Sequence, residues 1–249
     1  FTLPSINVLS SGKIEIQILA NLNSGISEYD YLNNSTITRF SIIKDIASLP
    51  FIEHFETGIN DSIWIIENIN SDKTWEIDST KGLQWSNLSA AMKLFSYSPR
   101  DNQKDGLISP KINLSASNDL NLIFDIAYQN RMSNVFFQDT LKIFISTNCG
   151  VSYDYLVYQK SGDELSTLDT NSYDFIPEYL THWRNDTVKL SSFSNEDILI
   201  KFETTNRGGN NLFLDNIKIF EGVSAPLSIN IPHLLDFEIY PNPTDSEIN

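Results

Sequence analysis

Alternation of hydrophobic and polar residues is the dominant pattern along this chain of 249 residues, and helical periodicity is scarce. The segment KIEIQILA at residues 13–20 shows the pattern clearly. A period of two places successive side chains on opposite faces, as in a half-buried β-strand. Five further segments share this pattern, namely residues 35–43, 120–128, 140–147, 198–204 and 212–220.

The residues between these segments are mostly Asn, Ser, Asp and Gly. These residue types form turns because they hydrogen-bond to their own backbone or adopt left-handed conformations. Many short strands separated in this way are typical of a sandwich or barrel. The pattern therefore predicts an all-β fold, an antiparallel β-sandwich, with helix limited to one or two turns near residues 191–196.

Strand density also predicts the domain organisation. Residues 1–47 contain only two or three strand candidates, too few to close a core, and we interpret them as the C-terminal part of an Ig-like domain. About ten candidates follow without a linker, a number that suits one jelly-roll module over residues 48–222. The sequence GVSAP then resembles a linker, so that residues 223–249 form a separate tail. We expect the chain to be a piece of a longer polypeptide.

Composition narrows the classes of partner. Lys and Arg total 17 and Asp and Glu total 32, so the formal net charge is 17 − 32 = −15. This charge argues against binding to nucleic acid or to an anionic membrane, because both need a basic surface. No apolar run of 18 or more residues occurs, so no membrane span is predicted. A single cysteine, Cys149, excludes an internal disulfide and a Cys-based structural zinc site.

The chain lacks the common catalytic motifs. There is no H-E-x-x-H zinc motif, and His54, His182 and His233 lie far apart in the sequence. No G-x-S-x-G nucleophile motif occurs either. Carboxylate pairs remain possible in so acidic a chain. We therefore predict that this chain is not an enzyme, and that Cys149 is a half-buried packing residue in a turn, not a reactive thiol.

A series of motifs occurs in a fixed order in residues 51–220. Together they closely resemble the MAM-like jelly-roll modules called choice-of-anchor or cleaved-adhesin domains, in particular those behind the catalytic domain of secreted pappalysin-type metallopeptidases of Bacteroidota. The motifs are FIEHFETG at 51–58, Trp64, Trp75, DGLISP at 105–110, FDIAY at 124–128, DTLKIFISTNCG at 139–150, Trp183-Arg184 and NNLFLDNI at 210–217.

The tail carries a second resemblance. The sequence FEIYPNPT at residues 237–244 is similar to the opening of the type A C-terminal sorting domain, which the type IX secretion system reads. The two resemblances imply an extracellular protein, secreted or attached to the cell surface. They imply a non-catalytic accessory or adhesion module whose partners are an extracellular protein or glycan ligand and the type IX secretion machinery.

The acidic residues suggest a metal site. Alternation places Asp215 on one face with Phe213, Ile217 and Ile219, or else that face points outward and Leu214 and Phe220 are buried. If Asp215 faces inward, its carboxylate needs a partner, and a Ca²⁺ ion accepts carboxylates and backbone carbonyls. Glu56 is the natural second ligand if the first and last strands of the module are adjacent.

The resemblance strengthens this expectation of a structural Ca²⁺ ion at Glu56 and Asp215, with Asp105 as a third candidate ligand. The alternative is that these carboxylates are solvated or accept hydrogen bonds from loop amides. A second ion at residues 68–72 is not expected, because this stretch lacks glycine and most of the carboxylates of a richer calcium loop.

Two alternative functions stay open. The chain is the C-terminal region of a zinc metallopeptidase whose catalytic domain lies upstream, or it is a carbohydrate-binding module. In the second case exposed Trp64 or Trp85 would stack on sugar rings, whereas Trp75 and Trp183 are expected to anchor the core.

Overall fold

The computed structural model describes residues 12–19, 34–42, 46–69, 73–81, 88–92, 102–114, 116, 119–131 and 138–222. These ranges contain the helix α1 (Gly162–Leu165) and two 3₁₀ turns, Leu180–His182 and Ser191–Phe193. The strands are β1 (Gly12–Leu19), β2 (Ser35–Ile42), β3 (Ile46–Ala47), β4 (Phe51–Glu53), β5 (Ile65–Asn68), β6 (Trp75–Ser79), β7 (Leu88–Met92), β8 (Gln103–Ile108), β9 (Lys111–Asn113), β10 (Leu120–Tyr128), β11 (Thr140–Ser146), β12 (Tyr155–Ser161), β13 (Arg184–Lys189), β14 (Asp197–Asn206) and β15 (Leu212–Glu221).

Two sheets pack face to face. One has six strands in the order β13-β10-β15-β7-β6, with β4 also paired to β15. The other has the order β12-β11-β14-β8-β5, with β9 paired to β14 and β3. The strands pair antiparallel, except that β3 and β9 are parallel. The predicted all-β fold, an antiparallel jelly-roll β-sandwich, is confirmed.

Alternation along the long strands builds the core between the sheets. Leu120, Leu122, Phe124 and Ile126 on β10 are fully buried, and the residues between them face the other side. Alternate residues of β11 and β14 meet them from the opposite sheet, and Phe124 packs edge-on against Phe202 with ring centroids 5.8 Å apart. Burying one such side chain contributes about 1.5–3 kcal/mol, so this interface is the main source of stability.

The described part of the N-terminal region is small. Strands β1 and β2 form a separate antiparallel two-stranded sheet, and β3 at Ile46–Ala47 already pairs with β9 of the sandwich. The Ig-like interpretation of residues 1–47 stays a prediction, and the tail at residues 223–249 lies outside the described residues. None of the helices described here is long and apolar enough to cross a bilayer.

A cluster of charged side chains closes one open edge between the sheets. Asp186 lies on edge strand β13 opposite Phe124 and is 7% exposed. Its Oδ1 accepts a hydrogen bond from Nε of Arg184 at 3.0 Å. Its Oδ2 accepts from Nη2 of Arg184 at 3.1 Å, from the hydroxyl of Tyr158 at 2.6 Å and from Nζ of Lys160 at 3.0 Å. Since Tyr158 and Lys160 belong to β12, the carboxylate links the edge strands of the two sheets.

Candidate functional site

Strand β15 changes neighbours halfway along one of its edges. Its first residues, Leu212–Leu214, pair with β7, and Ile217–Ile219 pair with β4. The adjacency of the first and last strands of the module, on which the metal hypothesis depended, is therefore present. Asp215 and Asn216 lie between the two pairings, at a point that we call the β4/β7 junction.

A bulge at the β4/β7 junction decides which way Asp215 points. The register between β10 and β15 shifts between Ile123 and Asp125, and Asn216 adopts a left-handed conformation with φ +48°. Asn tolerates this conformation better than most residues, and the extra residue reverses the alternation. Both burial patterns considered from the sequence are therefore present, one before the bulge and the other after it. Leu212, Leu214, Ile217 and Ile219 enter the main core, and Phe213 joins a second cluster on the outer face.

Asp215 lies on the outer face of the sheet, the same face as Phe213, and is nevertheless fully buried. Its Oδ2 accepts a hydrogen bond from Oγ of Ser89 at 2.8 Å, and its Oδ1 accepts from its neighbour's backbone, the N–H of Asn216, at 2.6 Å. Because the Ser89 hydroxyl donates its proton to Asp215, the hydroxyl of Thr80, 2.7 Å away, must donate to Ser89. The carboxylate is thus held in a fixed orientation at the junction.

Glu56 contacts β7 near the same junction. Phe55 is fully buried and adopts a left-handed conformation with φ +56°, which turns the chain sharply after β4. Glu56 follows in this turn, and its Oε1 accepts a hydrogen bond from the backbone N–H of Leu88 at 3.2 Å. Leu88 and Ser89 are the first two residues of β7. Glu56 and Asp215 therefore contact adjacent residues of the same strand.

Three further side chains that sequence reasoning missed surround Asp215. Asp125 lies directly opposite Asp215 on β10, and Nδ2 of Asn216 donates to Oδ2 of Asp125 at 2.8 Å. The Oδ1 of Asn216 then accepts a hydrogen bond from Nδ1 of His54, which must carry the ring proton. Like charges directly opposite each other in a sheet are destabilising, so the pair of aspartates makes the junction electronegative.

Asp105 lies elsewhere. It is on β8 in the other sheet, faces Thr204 and is 1% exposed. Neither of its carboxylate oxygens has a hydrogen-bond partner among the described residues. Burial raises the pKa of Asp105, the neighbouring hydroxyl of Thr74 opposes the rise, and the charge of Glu67 adds to it. Within the described ranges, no three His, Cys, Asp or Glu side chains form a group suited to a metal ion. The three predicted ligands are thus not assembled as one set.

The carboxylates at the β4/β7 junction offer oxygen atoms of the kind that a hard cation binds. Two carboxylates come from different parts of the chain, and the change of neighbour along β15 interrupts the ladder where backbone carbonyls are otherwise paired. Ca²⁺ takes six to eight oxygen ligands in a flexible shell that includes carboxylates and carbonyls. Glu56 and Asp215 would hold such an ion, and it would supply positive charge to neutralise them.

The other sequence candidates have structural positions. Trp64 is 1% exposed and its Nε1 donates to Glu53 at 3.0 Å, so it cannot serve as a sugar platform. Trp75 and Trp183 are buried as expected, and Trp85 lies outside the described residues. Cys149 does lie in a turn, with φ +59°, but it is exposed, so the expected half-burial was wrong.

Comparison with known proteins gives structural similarity only. No protein-family model matches the chain, and no curated protein matches it. The K1 cleaved adhesin domain of Lys-gingipain from Porphyromonas gingivalis is 17% identical, with a TM-score of 0.48, over 70% of this chain and 98% of that domain. A carbohydrate-binding module of Caldicellulosiruptor saccharolyticus, solved with mannohexaose, is 10% identical, with a TM-score of 0.47, over 70% of this chain and 98% of that module.

A glycoside hydrolase domain, Endo-D from Streptococcus pneumoniae, is 13% identical, with a TM-score of 0.48. That match spans 73% of this chain and 29% of the hydrolase domain. Similarity at this level does not transfer a function from one protein to another.

Proposed function

We propose that this chain is a non-catalytic extracellular accessory module that binds or retains a secreted or surface-attached bacterial protein at its target and is stabilised by a structural Ca²⁺ ion. The observation that carries the proposal is the arrangement at the β4/β7 junction. There Glu56, in the turn after the first strand of the module, and Asp215, in its last strand, contact adjacent residues of β7. The resemblance of residues 51–220 to cleaved-adhesin modules supports the same function.

The proposed role of the ion is structural. Asp215 and Asp125 face each other across the sheet, and Glu56 adds a third negative charge nearby. A divalent cation would relieve this repulsion and connect the turn after β4 to the middle of β15. At a Ca²⁺ concentration 100 times the Kd, binding would stabilise the fold by about 2.7 kcal/mol, which corresponds to several degrees in Tm.

Thermal unfolding of the full chain tests the calcium site. We expect Tm to fall by several degrees when EGTA replaces Ca²⁺, and Mg²⁺ to restore little of it because Mg²⁺ requires a tighter octahedral shell. Glu56→Gln and Asp215→Asn should remove most of this calcium response. Glu164→Gln, at an exposed carboxylate on α1, is the matched control and should keep the response. A wild-type Tm that is the same in Ca²⁺ and EGTA would refute the site.

Binding is tested separately. Immobilised full chain is exposed to a panel of extracellular matrix proteins and to uncharged and anionic glycans, and at least one class should be retained in the presence of Ca²⁺. Retention of none contradicts the binding role.

The proposal extends to the context of the module. The tail at residues 223–249 would be the start of a sorting domain for type IX secretion, and a zinc metallopeptidase is the alternative parent protein. An H-E-x-x-H motif in the coding sequence upstream of Phe1 would establish that alternative.

A further inference from the structure

An irregular segment covers the outer face of the six-stranded sheet. We call residues 171–183 the strap. Phe175 and Trp183 of the strap are buried and pack with Ala127 and Phe213, which β10 and β15 present on this face. The rings of Phe175 and Phe213 meet edge-on at 6.0 Å. The strap is therefore attached by its own small hydrophobic cluster.

Hydrogen bonds fix the strap backbone at several points. Asn210 donates through Nδ2 to the carbonyl of Tyr173 at 2.9 Å and accepts through Oδ1 from the N–H of Phe175 at 2.8 Å. The N–H of Lys81 donates to the carbonyl of Pro177 at 3.1 Å, and Nε1 of Trp183 donates back to the carbonyl of Lys81 at 3.0 Å. Both sides of the strap are thus held by ordered parts of the sandwich.

Asp139 holds the loop from which Asn210 reaches the strap. Its Oδ1 accepts hydrogen bonds from the N–H groups of Arg207 and Gly209, at 2.8 and 3.0 Å, and its Oδ2 accepts from the N–H of Asn210 at 3.0 Å. A Cβ at Gly209 would lie 2.2 Å from Oδ2, so only glycine permits this approach. The fixed loop gives the strap a defined position.

The strap exposes large side chains despite this anchoring. Tyr173 is 76% exposed, Tyr179 is 62% exposed, and Ile176 and Leu180 are at least half exposed. Four such side chains within eight residues form a patch, and contiguous apolar patches on a soluble domain commonly mark binding sites. Because the backbone is already ordered, a ligand would bind this patch without a large entropic cost.

A cavity of about 450 Å³ opens beside this patch. Its lining combines Tyr173 and Ile176 with the polar groups of Asp174, Glu178 and His182. Nδ1 of His182 accepts the N–H of Glu178 at 3.1 Å, which leaves Nε2 as the donor of the neutral ring. The cavity volume lies in the range of small-ligand sites, which is about 300–1,000 Å³.

The ring of Tyr179 lies beside the cavity and packs edge-on against that of His182, with centroids 5.1 Å apart. We propose that this cavity binds a short uncharged saccharide, with Tyr173 of the cavity wall packing against one sugar ring and Tyr179 beside it packing against another. The inference rests on the proposed function as a binding module and identifies the site and ligand class. A sugar presents an apolar C–H face to aromatic rings and hydroxyl groups at its edge, and those hydroxyls both donate and accept hydrogen bonds. Asp174 and Glu178 supply acceptors, and His182 supplies a donor.

The charges and the shape favour this ligand over other classes. Arg131 is buried and its guanidinium pairs with Asp174, so it neutralises only one of the two carboxylates. The charge of Glu178 then disfavours sulfated or acidic sugars. A lipid chain would leave the polar groups of the wall without partners, which is costly in a closed contact. A protein partner would need a larger and flatter surface than a cavity of this size.

The experiment uses the full chain in Ca²⁺ on an array of uncharged and anionic glycans, followed by calorimetry with the uncharged oligosaccharide that binds best. We expect Tyr173→Ala and Tyr179→Ala each to weaken that binding at least tenfold, because the first removes a ring from the cavity wall and the second removes the ring beside it that packs on His182. Tyr155→Ala is the matched control, since Tyr155 is 48% exposed on β12 and does not line the cavity. It should leave Kd unchanged. All three variants should still unfold cooperatively, which shows that the fold is intact.

Four outcomes would overturn the site. If both strap variants bind the same glycan as tightly as the wild type, the cavity is not the site, although the binding module stands. If only anionic glycans bind, the ligand class is wrong. If the chain binds a lysine-rich peptide but no glycan, and the strap variants no longer bind that peptide, the cavity binds a protein partner. A chain that binds nothing while its calcium response is intact refutes both the cavity and the binding function.

Discussion

Replacing Asp186 by Asn should strongly destabilise the sandwich, because this carboxylate joins the edge strands of the two sheets. Asn has nearly the same shape, so the substitution leaves packing unchanged and removes the charge and one acceptor oxygen. Of the four hydrogen bonds that Asp186 accepts, three are donated by the charged groups of Arg184 and Lys160. The amide group of Asn would face one or two of these donors with N–H groups of its own.

The magnitude follows from these contacts. A hydrogen bond to a charged group contributes about 1.5–3 kcal/mol. Asn retains about half of the accepting capacity, and the side chains of Arg184 and Lys160 are both 31% exposed, so water can partly replace what they lose. We expect a loss of about 3 kcal/mol in the free energy of unfolding. For a domain of this size, that corresponds to a fall in Tm of about 6–12 °C.

The effect should depend on pH in a defined direction. Burial opposes ionisation of Asp186, but the hydrogen bonds from Arg184, Tyr158 and Lys160 outweigh it and hold its pKa below the ordinary value. A group with a lowered pKa contributes stability above its unfolded pKa of about 3.9 and loses it as the pH falls further. The gap in stability between wild type and Asp186→Asn should therefore be constant from pH 7 to 5 and narrow below about pH 4.

The assay is thermal unfolding followed by circular dichroism between pH 3.5 and 7.5. Asp61→Asn, at an exposed carboxylate in a turn, is the control and should change Tm by no more than about 1 °C. A loss below about 1 kcal/mol for Asp186→Asn, or a gap that does not change with pH, would show that the cluster does not join the sheets.

Two other predictions concern Asp139 and the tail. Burial raises the pKa of Asp139 to about 6 despite four hydrogen bonds from Arg207, Gly209, Asn210 and Tyr128. Stability from a raised pKa is present at low pH and lost as the pH rises, so the wild type should gain stability relative to Asp139→Asn between pH 7 and 5 in urea unfolding. A difference that shrinks over that interval would contradict this. Deleting residues 226–249 should change Tm by no more than about one degree, because solvated termini contribute little. A larger fall would mean that the tail packs on the sandwich.

The sequence was most informative where the pattern is long and local. Strand β10 has the predicted bounds, residues 120–128, because one face is buried along its whole length and burial enforces the alternation. The short strands β3 and β9 could not be predicted in this way, since two or three residues do not define a period. The strap has no regular pattern either, because its side chains follow an irregular backbone.

The candidate site was partly accessible from the sequence. Glu56 followed from its place at the end of the first strand and Asp215 from its alternation with apolar residues on the last strand. Ser89, which holds Asp215, is distant in the sequence and gave no signal. The bulge depends on the left-handed conformation of a single residue, Asn216. The dipeptide Asp-Asn inside an apolar strand was the available sign, because both residues favour such conformations.

The position of β15 has a consequence for how the protein is made. Of the strands described in the sandwich, β15 is the last to be synthesised, yet it lies at the centre of its sheet, between β10 on one side and β4 and β7 on the other. Until residues 212–221 emerge, those strands have free edges that can pair with other nascent chains. Any product that stops before residue 212 therefore lacks the middle of a sheet and should be an aggregation-prone fragment. A fusion partner added after residue 222 would lengthen the time for which these edges stay free only if it delayed the pairing of β15.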